Sequence, residues 1–417
     1  MAVKYSFKGQ VDNADIQRFY SENNVDCFIT TSSTEGLPVS IMEAMSYGIP
    51  IIATDVGGIK SMIDGNGILL ASNPNSEEVG NAIAKMALLD EQSIKSLREK
   101  SRTIWEDKFD AKKNAQVFAD RLLLAYGEQR NTVVMTIDSI TADWCFVEQE
   151  LMELSKRFHV ILIDTKPSKE KDEIEREKSL IECLNPKVEF YQYYFKKAIS
   201  KTIKNCVSYF FDSNTRRERL EIIKTKRKVL RRYWESIKYY SSAKAFYGWL
   251  EKNVLVDFSK AIFYSFWLQD TTLSFCMHKD GSHIITRAHG YDLYDSRYTK
   301  GLRQPFREYM DGLVDEFFFI SEEGRKYYLD RYGRNSNEKY KVSFLGASNS
   351  HKHNYFFESN KAFRMVSCSN ILELKRIDKI VDGLKLAERL VKSRDIEWIH
   401  FGDGPMRKEI EEKAKDL

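Results

Sequence analysis

Along the first quarter of the chain, short apolar runs alternate with stretches whose apolar positions recur at helical spacing. Val3–Phe7, Val25–Thr31 and Ile49–Thr54 read as strands, and Ala14–Asn23 and Pro38–Tyr47 as helices. The second helix is well punctuated, with Pro38 near its first turn, Gly48 just past its end and Pro50 beyond. Residues 78–127 read as helices. Such alternation predicts an α/β domain with a mostly parallel sheet. The pattern restarts at Thr132–Ile137, a buried-strand run followed by helix Ala142–Arg157 and strand His159–Ile163. That is the opening of a second doubly wound domain. Further strands are predicted at Val188–Tyr191, Ala261–Phe266, His283–Thr286, Glu316–Ile320 and Val342–Leu345. A third start gives strand Phe363–Cys368, helix Asp378–Val391, strand Ile396–Phe401 and helix Met406–Lys415. Two parallel strands cannot cover their own faces. These last residues are therefore expected to complete the sheet begun by residues 1–110.

Composition adds little to this picture and charge distribution adds more. A chain of 417 residues with 42% hydrophobic and 30% charged residues has room for two ordinary soluble domains. The formal charge is only +4, but Phe195–Lys260 holds 17 Lys and Arg against 6 Asp and Glu. Its Ile223, Leu230, Trp234 and Ile237 fall at helical spacing. A basic run of this kind is either a solvated face or a surface for anionic partners. The six cysteines are scattered without a C-x-x-C pair, which argues against a zinc site or a disulfide framework. No apolar stretch is long enough for a signal peptide or a membrane span. The expectation is a cytoplasmic protein, any membrane contact being peripheral, at an anionic inner face.

Candidate chemistry concentrates in Ser33-Thr34-Glu35-Gly36-Leu37-Pro38, followed by Glu43-Ala44-Met45 and Gly48-Ile49-Pro50. A strand end, a tight loop and a helix whose free N–H groups point back at the loop make a site for phosphate or sugar hydroxyls. Glu35 could accept hydrogen bonds from sugar hydroxyls, or simply cap the helix. Glu43 could take the two hydroxyls of a ribose, or be an ordinary surface helix former. Spacing alone leaves both pairs of readings open.

The stretch SSTEGLPVSIMEAMSYGIPIIATDVGG resembles the signature of the retaining glycosyltransferases of family 4, E-x7-E followed by A-x-x-x-G-x-P; Glu35, Glu43, Ala44, Gly48 and Pro50 match it. The resemblance implies the GT-B architecture, two Rossmann-like domains facing a cleft. It implies that Glu35 contacts the donor sugar and Glu43 the nucleotide ribose, with backbone N–H groups at Gly36 and Leu37 holding sugar and phosphate. Phe401-Gly402-Asp403-Gly404-Pro405 resembles the family's G-x-G-P loop, which places Gly402 in the donor site. Ser369-Asn370-Ile371-Leu372-Glu373-Leu374-Lys375 resembles its G-R-L-x-x-x-K diphosphate site. Lys375 matches and would neutralise the departing diphosphate. Asn370 stands where the family has Arg, and Arg376 is the candidate to compensate. Arg287-Ala288-His289-Gly290-Tyr291-Asp292 resembles the acceptor-side histidine motif, which implies that His289 lines the cleft; a lone histidine at a strand end can equally be structural. Ser139-Ile140-Thr141 replaces the glycine-rich first loop usual in the family's acceptor domain. No D-x-D pair occurs, in keeping with a metal-independent enzyme in which Lys375 and helix dipoles serve in place of an ion.

These segments stand in rotated order. The family runs from acceptor domain to G-R-L-x-x-x-K, G-x-G-P and then E-x7-E, whereas here E-x7-E comes first and Lys375 and Gly402–Pro405 come last. Joining Leu417 to Val3 restores the family order, with a native start near Asn131 and a native end near Tyr126–Glu128. The expectation is thus a circularly permuted GT-B chain, by engineering or by natural rearrangement, with Leu417 close to Met1. Residues 1–110 plus 363–417 would bind the donor, 111–127 would be a crossover helix packing on the other domain, and 131–350 would bind the acceptor. The expected reaction transfers a sugar, with retention, from a nucleotide-diphosphate sugar (UDP-type) to a polysaccharide or lipid-linked acceptor. No further cofactor, metal or nucleic acid is expected. Two other readings are a sibling hydrolase or phosphorylase and a non-catalytic membrane or nucleic-acid binding module built on 195–260.

Overall fold

A computed structural model describes residues 3–168, 170–194, 199–224, 228–279, 281–298, 302–333, 337–349 and 361–417. It contains the strands β1 (Val3–Phe7), β2 (Cys27–Thr30), β3 (Ile51–Thr54), β4 (Gly67–Leu70), β5 (Thr132–Ile137), β6 (His159–Asp164), β7 (Val188–Gln192), β8 (Ala261–Ser265), β9 (His283–Ala288), β10 (Glu316–Phe319), β11 (Tyr340–Val342), β12 (Phe363–Cys368) and β13 (Ile396–Phe401). The chain divides into two compact units, Met1–Asp110 with Leu345–Leu417, and Ala111–Phe344.

The first unit is a six-stranded sheet in the order β1-β13-β12-β2-β3-β4, every pair parallel. Strands from opposite ends of the chain are thus direct neighbours, Val3 opposite Ile396 and Cys27 opposite Met365. Counted from β12 through β13 and on to β1, the order is 3-2-1-4-5-6, the doubly wound arrangement with its reversal between β12 and β2. Strand β3 is buried on both faces, as a central parallel strand must be, while Lys4 to Phe7 of the edge strand β1 are partly open. Helices Ser76–Ala87 and Ile377–Leu390 pack closely over one face. Gly80 and Gly383 permit that approach, since a Cβ on Gly383 would lie 2.5 Å from Val79. Leu417 rests on the same core cluster as Tyr5 and Phe7. Met1, its expected neighbour, lies outside the described residues.

The second unit is a seven-stranded parallel sheet, β11-β10-β9-β8-β5-β6-β7, reversing direction of growth between β5 and β8. Helix Ala111–Tyr126 belongs to this unit: its Phe118 packs on Tyr264 and Phe318.

Several elements depart from the sequence expectation. Strand β4 and helix Lys171–Glu182 lie outside the elements that the sequence pattern predicts. The final strand of the second sheet is Tyr340–Val342 rather than Val342–Leu345, because its register is set by β10, with Phe317 opposite Tyr340. Residues 78–127 resolve into helices ending at Ala87, Ile104 and Tyr126, with a π-turn at Trp105–Phe109. Within the basic segment, residues 195–198 and 225–227 lie outside the described part, and the rest forms helices Ile199–Phe211, Arg216–Lys224 and Val229–Asn253. Of the apolar positions at helical spacing, only Ile237 is buried; Ile223, Leu230 and Trp234 are exposed. The buried face of Val229–Asn253 runs instead through Ile237, Tyr240, Ala243, Phe246, Tyr247 and Leu250.

Candidate functional site

The loop from Thr31 to Pro38 leaves the carboxyl end of β2, beside the reversal of the first sheet, where open α/β sheets bind ligands. Pro38, in extended conformation, caps helix Val39–Ser46 without a side-chain hydrogen bond, so the first-turn N–H groups have no capping side chain. The loop is held from two sides. The Thr31 hydroxyl donates to the Arg376 carbonyl (2.7 Å), and the Ser33 N–H and hydroxyl donate to the Leu374 carbonyl (2.8 and 3.0 Å). From the other side, the Thr54 hydroxyl donates to the Ser32 carbonyl (2.6 Å) and the Gly58 N–H to the Gly36 carbonyl (2.7 Å). Gly57 sits at φ +56°, and a Cβ there would lie 2.0 Å from the Glu35 carbonyl oxygen. Only glycine meets both conditions.

This clamp brings together side chains 340 positions apart. Lys375 Nζ lies 2.5 Å from Glu35 Oε1, both side chains being mostly buried. Glu35 is therefore not a helix cap: its carboxylate pairs with Lys375. Glu43 is not a surface residue either, being 8% exposed. Burial pushes its carboxyl from 4.5 up to about 7, while hydrogen bonds from Asn13 (2.5 Å) and Gln17 pull it back. Leu37 is buried, Gly36 half-buried and Asn370 exposed.

Arg376 is committed elsewhere. Its guanidinium donates to the carbonyls of Thr31 (2.7 Å), Ser32 (2.9 Å) and Ser72 (2.9 Å) and to Asn73 Oδ1 (2.8 Å). With φ at +48°, it braces the turn that carries Lys375 rather than offering a free cation in place of the arginine missing at Asn370. Gly402, at φ +135°, lets the next loop lie against Ser369, whose carbonyl oxygen would be 1.9 Å from a Cβ there. Its N–H donates to the Gly9 carbonyl (2.8 Å), and the Ile371 N–H to the Asp403 carbonyl (2.8 Å). Sequence reasoning assigned no role to Gly9, Asn13, Gly57 or Gly58. The dipeptide Gly57-Gly58 after a strand was the one available signal.

His289 belongs to the second unit, at the end of β9. It is buried; its ring lies against Trp267 (4.1 Å between centroids) and Phe266 (4.8 Å). Its N–H donates to Asp292 Oδ1 (2.8 Å), its Nδ1 faces Asp292 Oδ2 at 3.5 Å, and its buried Nε2 has no hydrogen-bond partner. Burial pushes the Asp292 carboxyl up, but hydrogen bonds from His289 and Leu268 and the Arg307 charge hold it below its ordinary value. Ser139–Thr141 forms the start of helix Ile140–Arg157 rather than a loop, and two further carboxylates brace it. Asp143 accepts from the N–H groups of Asp138 (2.8 Å) and Ser139 (3.3 Å) and from Trp267 Nε1 (3.1 Å). Asp164 accepts from the Ile140 N–H (3.0 Å), and burial pushes it up to about 7.

Among the described residues, no group of three or more His, Cys, Asp or Glu is arranged to hold a metal ion, and no helix is long and apolar enough to cross a membrane.

Residues 2–104 match the family described as Glycosyl transferases group 1. The chain is 36% identical over 80 residues to the O-antigen biosynthesis glycosyltransferase WbnH of Escherichia coli, a stretch covering 19% of this chain and 22% of that protein. It is 32% identical over 111 residues to a Bacillus subtilis protein named as the teichuronic acid biosynthesis glycosyltransferase TuaC, covering 26% and 27%. A glycosyltransferase of Haemophilus influenzae is 31% identical over 96 residues, covering 22% and 26%. The chain thus spans about a quarter of the length of these curated relatives. The matched segment holds Glu35, Glu43 and β1 to β4; Lys375, Gly402, β12 and β13 lie outside it but in the same unit. Residues 2–104 are thus similar to a glycosyl transferases group 1 domain, and lie within one of two parallel α/β units that fit the GT-B architecture.

Proposed function

We propose that this protein is a retaining glycosyltransferase of family 4 that moves a sugar from a nucleotide-diphosphate sugar, UDP-type, to a polysaccharide or lipid-linked acceptor. The observation that carries this reading is the Glu35–Lys375 pair, 2.5 Å apart at the reversal of a doubly wound sheet, in a unit whose matched segment resembles sugar transferases. An acid and an ammonium there suit a ligand with sugar hydroxyls beside a diphosphate. In this reading Glu35 orients the sugar, Glu43 takes the ribose hydroxyls, and N–H groups at Gly36 and Leu37 meet sugar and phosphate. Gly402 sets the course of the neighbouring loop against Ser369, Asn370 lies exposed beside it, and Arg376 braces the turn that carries Lys375. In transfer, the bond from the anomeric carbon to the diphosphate oxygen breaks as the acceptor oxygen bonds the same face. The acceptor proton passes to a donor phosphate oxygen, and Lys375 offsets the charge left on the diphosphate. No metal is required, and His289 lines the acceptor side.

The order of the segments belongs to the same proposal. A sheet reading 3-2-1-4-5-6 only when counted from β12 is what a rotated chain of this family would build. The partner-sheet need of residues 363–417 supplies the physical reason.

The test is a panel of nucleotide-sugar donors offered with saccharide and lipid-linked acceptors, in chelator, with every product identified. A glycosylated product of retained configuration supports the proposal. Free sugar alone would assign a hydrolase and sugar phosphate a phosphorylase. Consumption of no donor, with salt-sensitive nucleic-acid binding, would favour a non-catalytic module.

A further inference from the structure

The basic helices of the second unit present a surface that the donor chemistry does not use. Helices Ile199–Phe211 and Val229–Asn253 run antiparallel: Ser208 meets Tyr240, Tyr209 meets Ser236 and Phe210 meets Tyr233. The end of the first helix therefore lies beside the start of the second. Large apolar side chains collect there in the open: Phe211 is 86% exposed, Leu230 87%, Trp234 52% and Phe210 48%. Leu230 and Trp234 are one turn apart on one face, and the Phe210 ring lies 5.8 Å from that of Tyr233 in the same turn. Cations flank them. Lys228 and Arg231 bracket Leu230 in sequence, and Lys238 Nζ stands 6.0 Å from the Trp234 ring while pairing with Glu235 at 2.8 Å. The core-facing side of the long helix is already filled by Ile237, Tyr240, Phe246 and Leu250. Among the described residues, Phe211, Leu230 and Trp234 are not part of that core.

We infer that the Phe211–Leu230–Trp234 surface docks on the headgroup layer of an anionic bilayer, its apolar side chains entering the interface and Lys228, Arg231 and Lys238 meeting lipid phosphates. Exposed aromatic and aliphatic anchors within a net positive field are the two signals that together give stable interfacial binding. A nucleic acid would meet the cations but leave Leu230 and Phe211 in water. The inference stands on this surface alone and does not depend on the donor site.

The test uses the full chain with vesicles of mixed phosphatidylglycerol and phosphatidylcholine, with pure phosphatidylcholine vesicles and single-stranded DNA alongside. Binding to the anionic vesicles should exceed binding to the neutral ones and weaken steeply from about 0.05 to about 0.5 M salt. Each neutralised cation should weaken it about fivefold, so that Lys228→Gln, Arg231→Gln and Lys238→Gln together lose about a hundredfold. Phe211→Ser with Leu230→Ser, both far too exposed to unfold the protein, should lose about tenfold or more with every charge in place. Circular dichroism and donor turnover in solution should not change in either variant. Equal partition onto neutral and anionic vesicles overturns the inference. So does wild-type vesicle binding by the apolar pair, or a preference for DNA that this pair leaves intact.

Discussion

A carboxyl buried as deeply as Glu43 costs the fold stability whenever it is charged, and that cost can be measured. Glu43 is 8% exposed, and burial raises its carboxyl from 4.5 to about 7 against the pull of Asn13 and Gln17. Because the folded value lies above the unfolded one, its stabilising contribution is complete below pH 4.5 and is lost as pH rises through about 7. The gap corresponds to ~3 kcal/mol. Glu43→Gln removes the titration and keeps the shape. The new amide oxygen can still accept from Asn13 Nδ2, and its N–H can donate to Gln17 Oε1, a buried oxygen without a partner. Urea unfolding of both proteins should give similar stability near pH 4.5 and an advantage for the variant of up to ~3 kcal/mol at pH 8. The same carboxylate is assigned to the ribose, so nucleoside diphosphate affinity of the wild type should fall as pH drops through about 7. The variant should lose ~1.5–3 kcal/mol of that affinity at high pH. A stability difference between the two proteins that stays constant across this pH range refutes the reasoning.

Two other perturbations have defined outcomes. Gly57→Ala places a Cβ 2.0 Å from the Glu35 carbonyl at a left-handed φ, so turnover should fall by about tenfold or more through misplacement of Glu35, read as kcat with each accepted donor. Arg287→Ala strips the partner, 2.6 Å away, from Glu150, whose other oxygen is already unpaired in the core; the second unit should lose ~3–5 kcal/mol, read by thermal unfolding.

What the sequence made legible was local or periodic. Helix Val39–Ser46 follows from Pro38 and Gly48, whose backbone preferences act within a few residues and need no tertiary partner. The central strands follow from unbroken apolar runs, the mark of strands buried on both faces. Strand β4 escaped because it is four residues long and opens on Gly67, whose place is set by contact with Ile51 rather than by its own propensity. The exposed face of Val229–Asn253 escaped because Leu230, Trp234 and Ile237 share helical spacing, yet tertiary packing turns only the last of them inward. In the candidate site, Glu35, Glu43 and Lys375 stand out by resemblance, but the groups that hold them do not. Arg376 acts on carbonyls more than 300 positions away in sequence, and Asp164 on the N–H of Ile140 at the start of a different element. Backbone acceptors of this kind leave no mark on residue identity.

The central claim is that segments from the two ends of the chain form one nucleotide-diphosphate site. Calorimetric titration of uridine diphosphate and uridine monophosphate into the wild type, Glu43→Ala and Lys375→Ala tests it most directly. The account predicts that both variants bind the diphosphate more weakly, each by about tenfold or more, and that Lys375→Ala alone abolishes the preference for diphosphate over monophosphate. Wild-type affinity for every nucleoside diphosphate tried, in either variant, would contradict it.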